Sequence, residues 1–274
     1  MAPLAHTLAL LAMTLATAAI DEERMDMAPN SFDDQYLGCG PAMTAALPAL
    51  NRSEFQKNPV FAEVWLKAMA EWKDRGSRVS PLSSPAQAIA LRAYTMEEMR
   101  LYQQFNAAVS EAGSSSWKYR NEFHFKSLHF LLTQALQKLR RPNQCYDVRQ
   151  GFRNARFKVK KHNKVRFDHF ASSSMDIKVA WKFGHGTIFK VNTCHGVDIQ
   201  GFTTFPEEEE VLIPPFETFK VTDVRKIGNT MVIELQSTGN ASNYNCEWEP
   251  PRNSPHLGGL LLATVAMAVV TGTI

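Results

Sequence analysis

The apolar residues of this chain change their spacing near Cys145, and that change limits the possible folds more than any other feature. Before it, apolar positions recur every three or four residues, the period of a helix with one buried face. From Val60 to Trp72 they are Phe61, Val64, Trp65, Ala68 and Trp72. A second helix is expected after Ser84-Pro85, through Ala88, Ile89, Leu91 and Ala93, and a third from near Glu97, through Met99, Leu101, Phe105 and Val109. The strongest runs from Phe123 to Arg140 on Leu128, Leu131, Leu132, Ala135 and Leu139, and Pro142 ends it. After Cys145 come short stretches rich in Val, Ile, Phe and Thr, broken by Gly, Asn, Asp and Pro, which read as strands. They are Phe157–Lys160, Val165–Phe170, Thr187–Thr193, Val197–Phe202, Glu209–Ile213, Phe216–Val224 and Thr230–Gln236, with one short helix at Asp176–Phe183. Helices first and strands afterwards predict an α+β domain. Its mostly helical half covers residues 55–142, and a mixed or antiparallel, β-sandwich-like core covers 145–237. No repeat and no Gly-, Ser- or Pro-rich linker divides the chain, so residues 19–252 are expected to form one domain.

Both ends carry apolar segments that read as addresses rather than as core. Leu8–Ala19 is too short to span a bilayer and runs straight into Asp21, Glu22, Glu23 and Arg24, the pattern of a secretory signal peptide covering residues 1–18. The uncharged run Leu257–Ile274 follows small residues near Asn253 and Ser254, so residues 253–274 read as a glycolipid-anchor (GPI) signal. A plain secreted or membrane-tethered form is the other reading. Secretion fits the four cysteines, Cys39, Cys145, Cys194 and Cys246, an even number that argues for two disulfides with three pairings open. Asn51-Arg52-Ser53 and Asn240-Ala241-Ser242 are glycosylation sequons. The net charge of +3 is small and dispersed, which argues against a nucleic-acid partner, and Lys158–Lys164 reads as a solvated hairpin. His124, His129 and His185 lack metal-ligand spacing and read as structural or solvent-exposed; no metal is expected.

The stretch most suggestive of chemistry is Phe205–Pro215, where Glu207, Glu208, Glu209 and Glu210 run directly into the apolar Val211-Leu212-Ile213. Alone, a charge run reads as a solvated loop. On a strand, however, alternate residues share a face, so Glu208 and Glu210 are expected to point into one cleft and Glu209 away from it. Crowded carboxylates raise one another's pKa, which lets one stay charged beside a proton-sharing neighbour.

This stretch resembles the acidic loop and Glu-x-Glu strand of the vertebrate arginine-specific mono-ADP-ribosyltransferases. Phe170-Ala171-Ser172-Ser173-Ser174 is similar to their Ser-centred strand end, and Thr193-Cys194-His195-Gly196-Val197 to the segment that follows. Ser31-Phe32-Asp33-Asp34-Gln35-Tyr36 and Phe123-His124-Phe125-Lys126-Ser127-Leu128-His129 look like stretches of the avian members. The resemblance implies an NAD cleft, with NAD or NADP as co-substrate and no metal. It implies transfer of one ADP-ribose to arginines of extracellular or surface proteins, with nicotinamide released. Glu210 would hold a ribose hydroxyl and stabilise an oxocarbenium-like transition state. Glu208 would orient the acceptor guanidinium and help remove its proton. Ser172, Tyr94, Gln150, His169 and Thr203 would contact NAD. The resemblance also implies the pairs Cys39–Cys246 and Cys145–Cys194. The chain itself is expected to be a monomer that meets the membrane only through the C-terminal lipid anchor.

One departure from the family falls at the heart of the site. The family carries an aromatic residue followed by Arg-Gly on a strand, and here the corresponding stretch is Cys145-Tyr146-Asp147-Val148-Arg149-Gln150-Gly151. Without a gap, the arginine's place falls on Gln150, which hydrogen-bonds but carries no charge for the NAD pyrophosphate. Arg149 is adjacent, yet a one-residue shift sends a side chain to the opposite face unless a bulge restores it. Asp168 and His169 also stand where relatives carry Gly and Gln. The departures leave two alternatives: an NAD glycohydrolase, or an NAD- or protein-binding ectodomain without catalysis.

Overall fold

A computed structural model of the chain describes residues 21–248 except Asn154 and His185; the expected signal peptide and C-terminal tail lie outside the described residues. After a short strand β1 (Asp21–Arg24), the first half is helical, with α1 Gly40–Lys57, α2 Pro59–Asp74, α3 Pro85–Thr95, α4 Leu101–Ala112, α5 Ser116–Asn121 and α6 Lys126–Leu139. The second half holds β2 Tyr146–Phe152, β3 Ala155–Lys158, β4 Lys164–Val165, β5 Ala171–Ser174, α7 Ile177–Phe183, β6 Thr187–Thr193, β7 Val197–Asp198, β8 Glu210–Ile213, β9 Glu217–Ile227 and β10 Thr230–Asn240.

The helices start where local chemistry lets them. Asn58 caps α2 by accepting from Phe61 N at 3.0 Å, Pro59 fills its first turn, and Phe61, Val64, Trp65 and Ala68 form its buried face. The orphan N–H groups of α6 are met from another helix. Glu54 of α1 accepts from Lys126 N at 2.6 Å, Ser127 N at 3.0 Å and Ser127 Oγ at 2.5 Å. The helical half begins before residue 55, because α1 escapes a reading based on period: it buries only Met43 and Glu54 and contains Pro48.

Strands β4-β9-β10-β6-β2-β5-β8-β7 form one mixed sheet, antiparallel throughout except for the β10–β6 pair. One face buries Val148, Phe189, Val191, Val211, Ile213, Phe219 and Ile233 among themselves. Phe170, Val197 and Leu212 join the other core, which they share with the helices. The decisive feature is between β2 and β5. Strand β2 pairs with β6 along its whole length, but with β5 only at Arg149 and Ser174. Beyond that pair the sheet opens, and the opening faces the helical half.

Three expected segments differ from the structure for identifiable reasons. The expected strand Val165–Phe170 breaks after β4 because the buried Arg166 turns to an ion pair with Asp33 and donates to the carbonyls of Met27, Ala28 and Ala241. Val197–Phe202 shortens to β7, and the chain turns where Phe202 N bonds to Ile199 O. Lys158–Lys164 is no hairpin, since β3 pairs with β1 and β4 with β9.

The two disulfides are Cys39–Cys246 and Cys145–Cys194, as the resemblance implied. The first lies beside a strap in which Asp33 accepts from Asn243 N and Tyr244 N, and Asp34 from Glu247 N. The two family-like stretches of the first half pack on each other. Phe32 stacks on Tyr119 at 4.0 Å, and His129 bonds Phe32 O through Nε2 and Tyr36 Oη through Nδ1. Burial pushes His129 down to about 3, so it is a neutral structural group. Asn240 is exposed at the end of β10, whereas Asn51 lies on α1 with its Oδ1 buried and, among the described residues, without a partner.

Candidate active site

The opening between β2 and β5 is a cleft lined by Arg149, Gln150, Gly151 and Phe152 on one lip and by His169, Ser172, Ser173 and Ser174 on the other. Helix α7 floors it with Val179 and Ala180, and the helical half contributes Tyr94, Thr95, Glu97, Tyr102 and Asn106. Gly151 is needed for this closeness, since a Cβ there would lie 2.2 Å from Ala180 O. Phe205, Glu208 and Glu210 complete the wall. The residues expected at the site thus meet in one place, with the exception of Thr203.

Register explains which side chains share the cleft face. Arg149 pairs with Ser174, and Ser174 pairs with Glu210, so these three stand on one face across three adjacent strands. Ser172 is two residues from Ser174 and lies on the same face. Gln150 faces the other way within the paired part of β2, opposite Phe189, but it reaches the cleft because β5 has left its flank. No bulge is needed: both Arg149 and Gln150 line the opening. Among the described residues, Gln150 Oε1 and Arg149 Nε are buried without partners, and the Arg149 guanidinium donates to Val148 O at 2.9 Å. Orphaned polar atoms on a cleft wall fit a polar ligand that satisfies them.

Glu210 is 7% exposed and begins β8. Burial pushes its carboxyl up to about 7; a hydrogen bond with Ser172 opposes the rise, the charge of Glu208 adds to it, and Thr203 opposes it. Thr203, expected to touch the nucleotide, is buried behind Glu210 and donates to its Oε2 at 3.3 Å. Tyr94 lines the cleft with its ring, but its hydroxyl donates to Phe170 O at 2.8 Å and accepts from Asn106 at 3.1 Å. His169 bonds Asp168 through Nδ1 at 2.5 Å.

Glu208 and Glu210 do share the cleft, but not by strand alternation. Pro206–Glu208 is a 3₁₀ turn, and Glu209 takes a left-handed backbone (φ 47°), so the strand begins only at Glu210. The turn is held by Ser174 Oγ donating to Glu208 O at 2.6 Å and by Met175 N donating to Glu209 O at 3.2 Å. The Glu208 carboxyl is raised by burial, then by Glu207 and Glu97, while Lys182 opposes the rise.

Glu97, Tyr102 and Asn106 carried no functional signal in the sequence. Tyr102 and Asn106 are four residues apart on α4, a spacing that reads as ordinary helix packing.

The model of the family described as NAD:arginine ADP-ribosyltransferase matches residues 25–243. NAD(P)(+)-arginine ADP-ribosyltransferase 2 of Gallus gallus is 47% identical over 253 residues, 89% of this chain and 81% of that protein. GPI-linked NAD(P)(+)-arginine ADP-ribosyltransferase 1 of Homo sapiens is 45% identical over 83% of this chain and 75% of that protein. The crystal structure of the eukaryotic mono-ADP-ribosyltransferase ART2.2 matches with a TM-score of 0.72 at 35% identity, covering 83% of this chain and 100% of that one. A mutant of the same protein, solved in complex with NAD, matches with a TM-score of 0.71. By the match of the family model, by these identities and by the shared fold, the chain belongs to the NAD:arginine ADP-ribosyltransferase family.

Proposed function

We propose that the chain transfers a single ADP-ribose from NAD to the guanidinium of an arginine on an extracellular or surface protein, releasing nicotinamide. The observation that carries this reading is Glu210, a carboxylate buried at the open seam of the sheet with Ser172 and Thr203 directed to it and Glu208 beside it. As the bond between ribose and nicotinamide breaks, positive charge develops on the ribose. A buried carboxylate stabilises that charge far better than water does. Glu210 also accepts a hydrogen bond from a ribose hydroxyl, and Ser172 fixes the carboxylate and the sugar relative to each other. Glu208 takes the acceptor guanidinium and accepts its proton as the new N-glycosidic bond forms.

The nucleotide's negative charge has to be met on the opposite lip. There Gln150 supplies a neutral hydrogen-bonding group, and Arg149 supplies the cation from the face it shares with Ser174 and Glu210. His169 stands across from them on the Ser172 lip, and Tyr94 lines the cleft from the helical half. Thr203 acts on Glu210 rather than on NAD.

Two disulfides fit an oxidising compartment, and the human relative's name describes it as GPI-linked. We extend the proposal to a secreted chain whose C-terminal tail is exchanged for a lipid anchor. A phospholipase that cleaves such anchors would release the protein from expressing cells; retention would exclude the anchor.

The test of the activity is incubation of the purified chain with labelled NAD and agmatine, a small guanidine, following nicotinamide release and labelled adduct. Adduct is the expected result. Nicotinamide without adduct would make the chain a glycohydrolase, and neither product would make it a binding ectodomain.

A further inference from the structure

We infer that Glu97 and Tyr102, both from the helical half, form the second wall of the acceptor subsite, so that the incoming guanidinium lies between Glu97 and Glu208 against the Tyr102 ring. The inference rests on the transferase reading and names residues that the acidic turn alone does not supply.

The geometry starts with Thr95, the last residue of α3. Its Oγ1 accepts from Thr204 N at 3.0 Å and lies 3.3 Å from Thr204 Oγ1. This tie fixes the end of α3 against the loop that leads into the acidic turn, so Glu97 and Glu208 line one cavity from two different parts of the chain. The two are close enough that Glu97 contributes to holding the Glu208 carboxyl above its usual range, after burial and Glu207. Among the described residues, neither carboxylate forms an ion pair. Two unpaired carboxylates facing one cavity repel each other, and a cation between them relieves both.

The backbone between Glu97 and Tyr102 is bent in an unusual way. Met99 (φ 56°, ψ 5°) and Arg100 (φ 52°, ψ 41°) both hold the left-handed region without being glycine. The bend lets α4 start so that Tyr102, 36% exposed, lines the same cavity. Strain of this kind collects at ligand-holding segments. One turn further along α4, Asn106 lines the cavity too. Its Nδ2 is spent on Tyr94 Oη and Phe170 O, while its Oδ1 is buried with no partner among the described residues. That orphan acceptor points to a donor-bearing ligand.

Carboxylates on two sides, an aromatic face and a free acceptor suit a guanidinium, which is planar, carries five N–H donors and stacks on aromatic rings. An ammonium would use the carboxylates but gain less from the ring. The cavity wall thus carries charges of both signs, Glu97, Glu208 and Glu210 together with Arg149.

The test is steady-state kinetics of the purified chain with NAD and agmatine, recording adduct formed per nicotinamide released. Glu97→Gln and Tyr102→Ala should each raise the KM for agmatine about tenfold, the scale of one lost charge-assisted contact, and lower that ratio. Glu97→Asp and Tyr102→Phe should restore most of it. A ratio and an agmatine KM equal to those of the native chain in Glu97→Gln, in protein that melts at the native temperature, would overturn the inference. Absence of adduct from the native chain removes the transferase reading itself, a distinct failure that also removes the subsite.

Discussion

Thr203 Oγ1 donates to Glu210 Oε2 at 3.3 Å from the buried side of the acidic turn, so the cleft carboxylate is gripped from behind while its other partners face the opening. Ser172 approaches it from β5. Among the described residues, the hydroxyls of Ser172 and Thr203 offset the burial of this carboxylate, and only in part.

The folded-state value of Glu210 is about 7 against an ordinary 4.5, raised chiefly by burial. The folded chain therefore binds this proton more tightly than the unfolded chain, and stability is lost as pH rises from about 4.5 through about 7. The full cost at higher pH is on the order of 3 kcal/mol. Glu210→Gln removes the cost, so denaturant unfolding should show the variant more stable than the native chain at pH 8 and nearly equal near pH 4. In the native chain NAD cleavage should increase with pH through about 7 as the carboxylate forms.

The two cleft glutamates should divide the reaction. Glu210→Gln should lower both nicotinamide release and transfer by about 10²- to 10³-fold, the scale of losing one group that stabilises transition-state charge. Glu208→Gln should lower transfer to agmatine by more than it lowers NAD cleavage. Equal losses of the two in Glu208→Gln would end that division.

At the nucleotide lip, Gln150→Arg should tighten NAD binding about tenfold by adding a charge-assisted hydrogen bond. Arg149→Gln should weaken it by a similar factor. Calorimetric titration with NAD measures both; an unaffected Arg149→Gln would mean that the cation is not used.

Asp33 and Arg166 form a buried ion pair, 0% and 3% exposed, that also fixes the C-terminal strap through Asn243 N and Tyr244 N. Asp33→Ala leaves an uncompensated buried guanidinium and should cost about 3 to 5 kcal/mol, seen as a lowered denaturant midpoint.

The sequence alone determined the order of helices and strands wherever its apolar residues recur at a regular spacing, as in α2 and α6, because a helical period of 3.6 is written directly into that spacing. It did not determine α1, whose exposed face and internal Pro48 leave no period to read. It placed Ser172, Glu208 and Glu210 at one site through resemblance. Tertiary structure alone decided how they meet: Glu208 arrives by a left-handed Glu209 that any sequence rule based on glycine would pass over. The departure of β5 from β2 after a single pair brings both Arg149 and Gln150 to the opening, although alternation would have admitted only one. Glu97 and Tyr102 reach the same cavity through the Thr95–Thr204 tie, a contact across 109 residues. Local spacing records the face a side chain takes within its own element; which elements part to make a cleft depends on packing between distant segments, and no local pattern carries that.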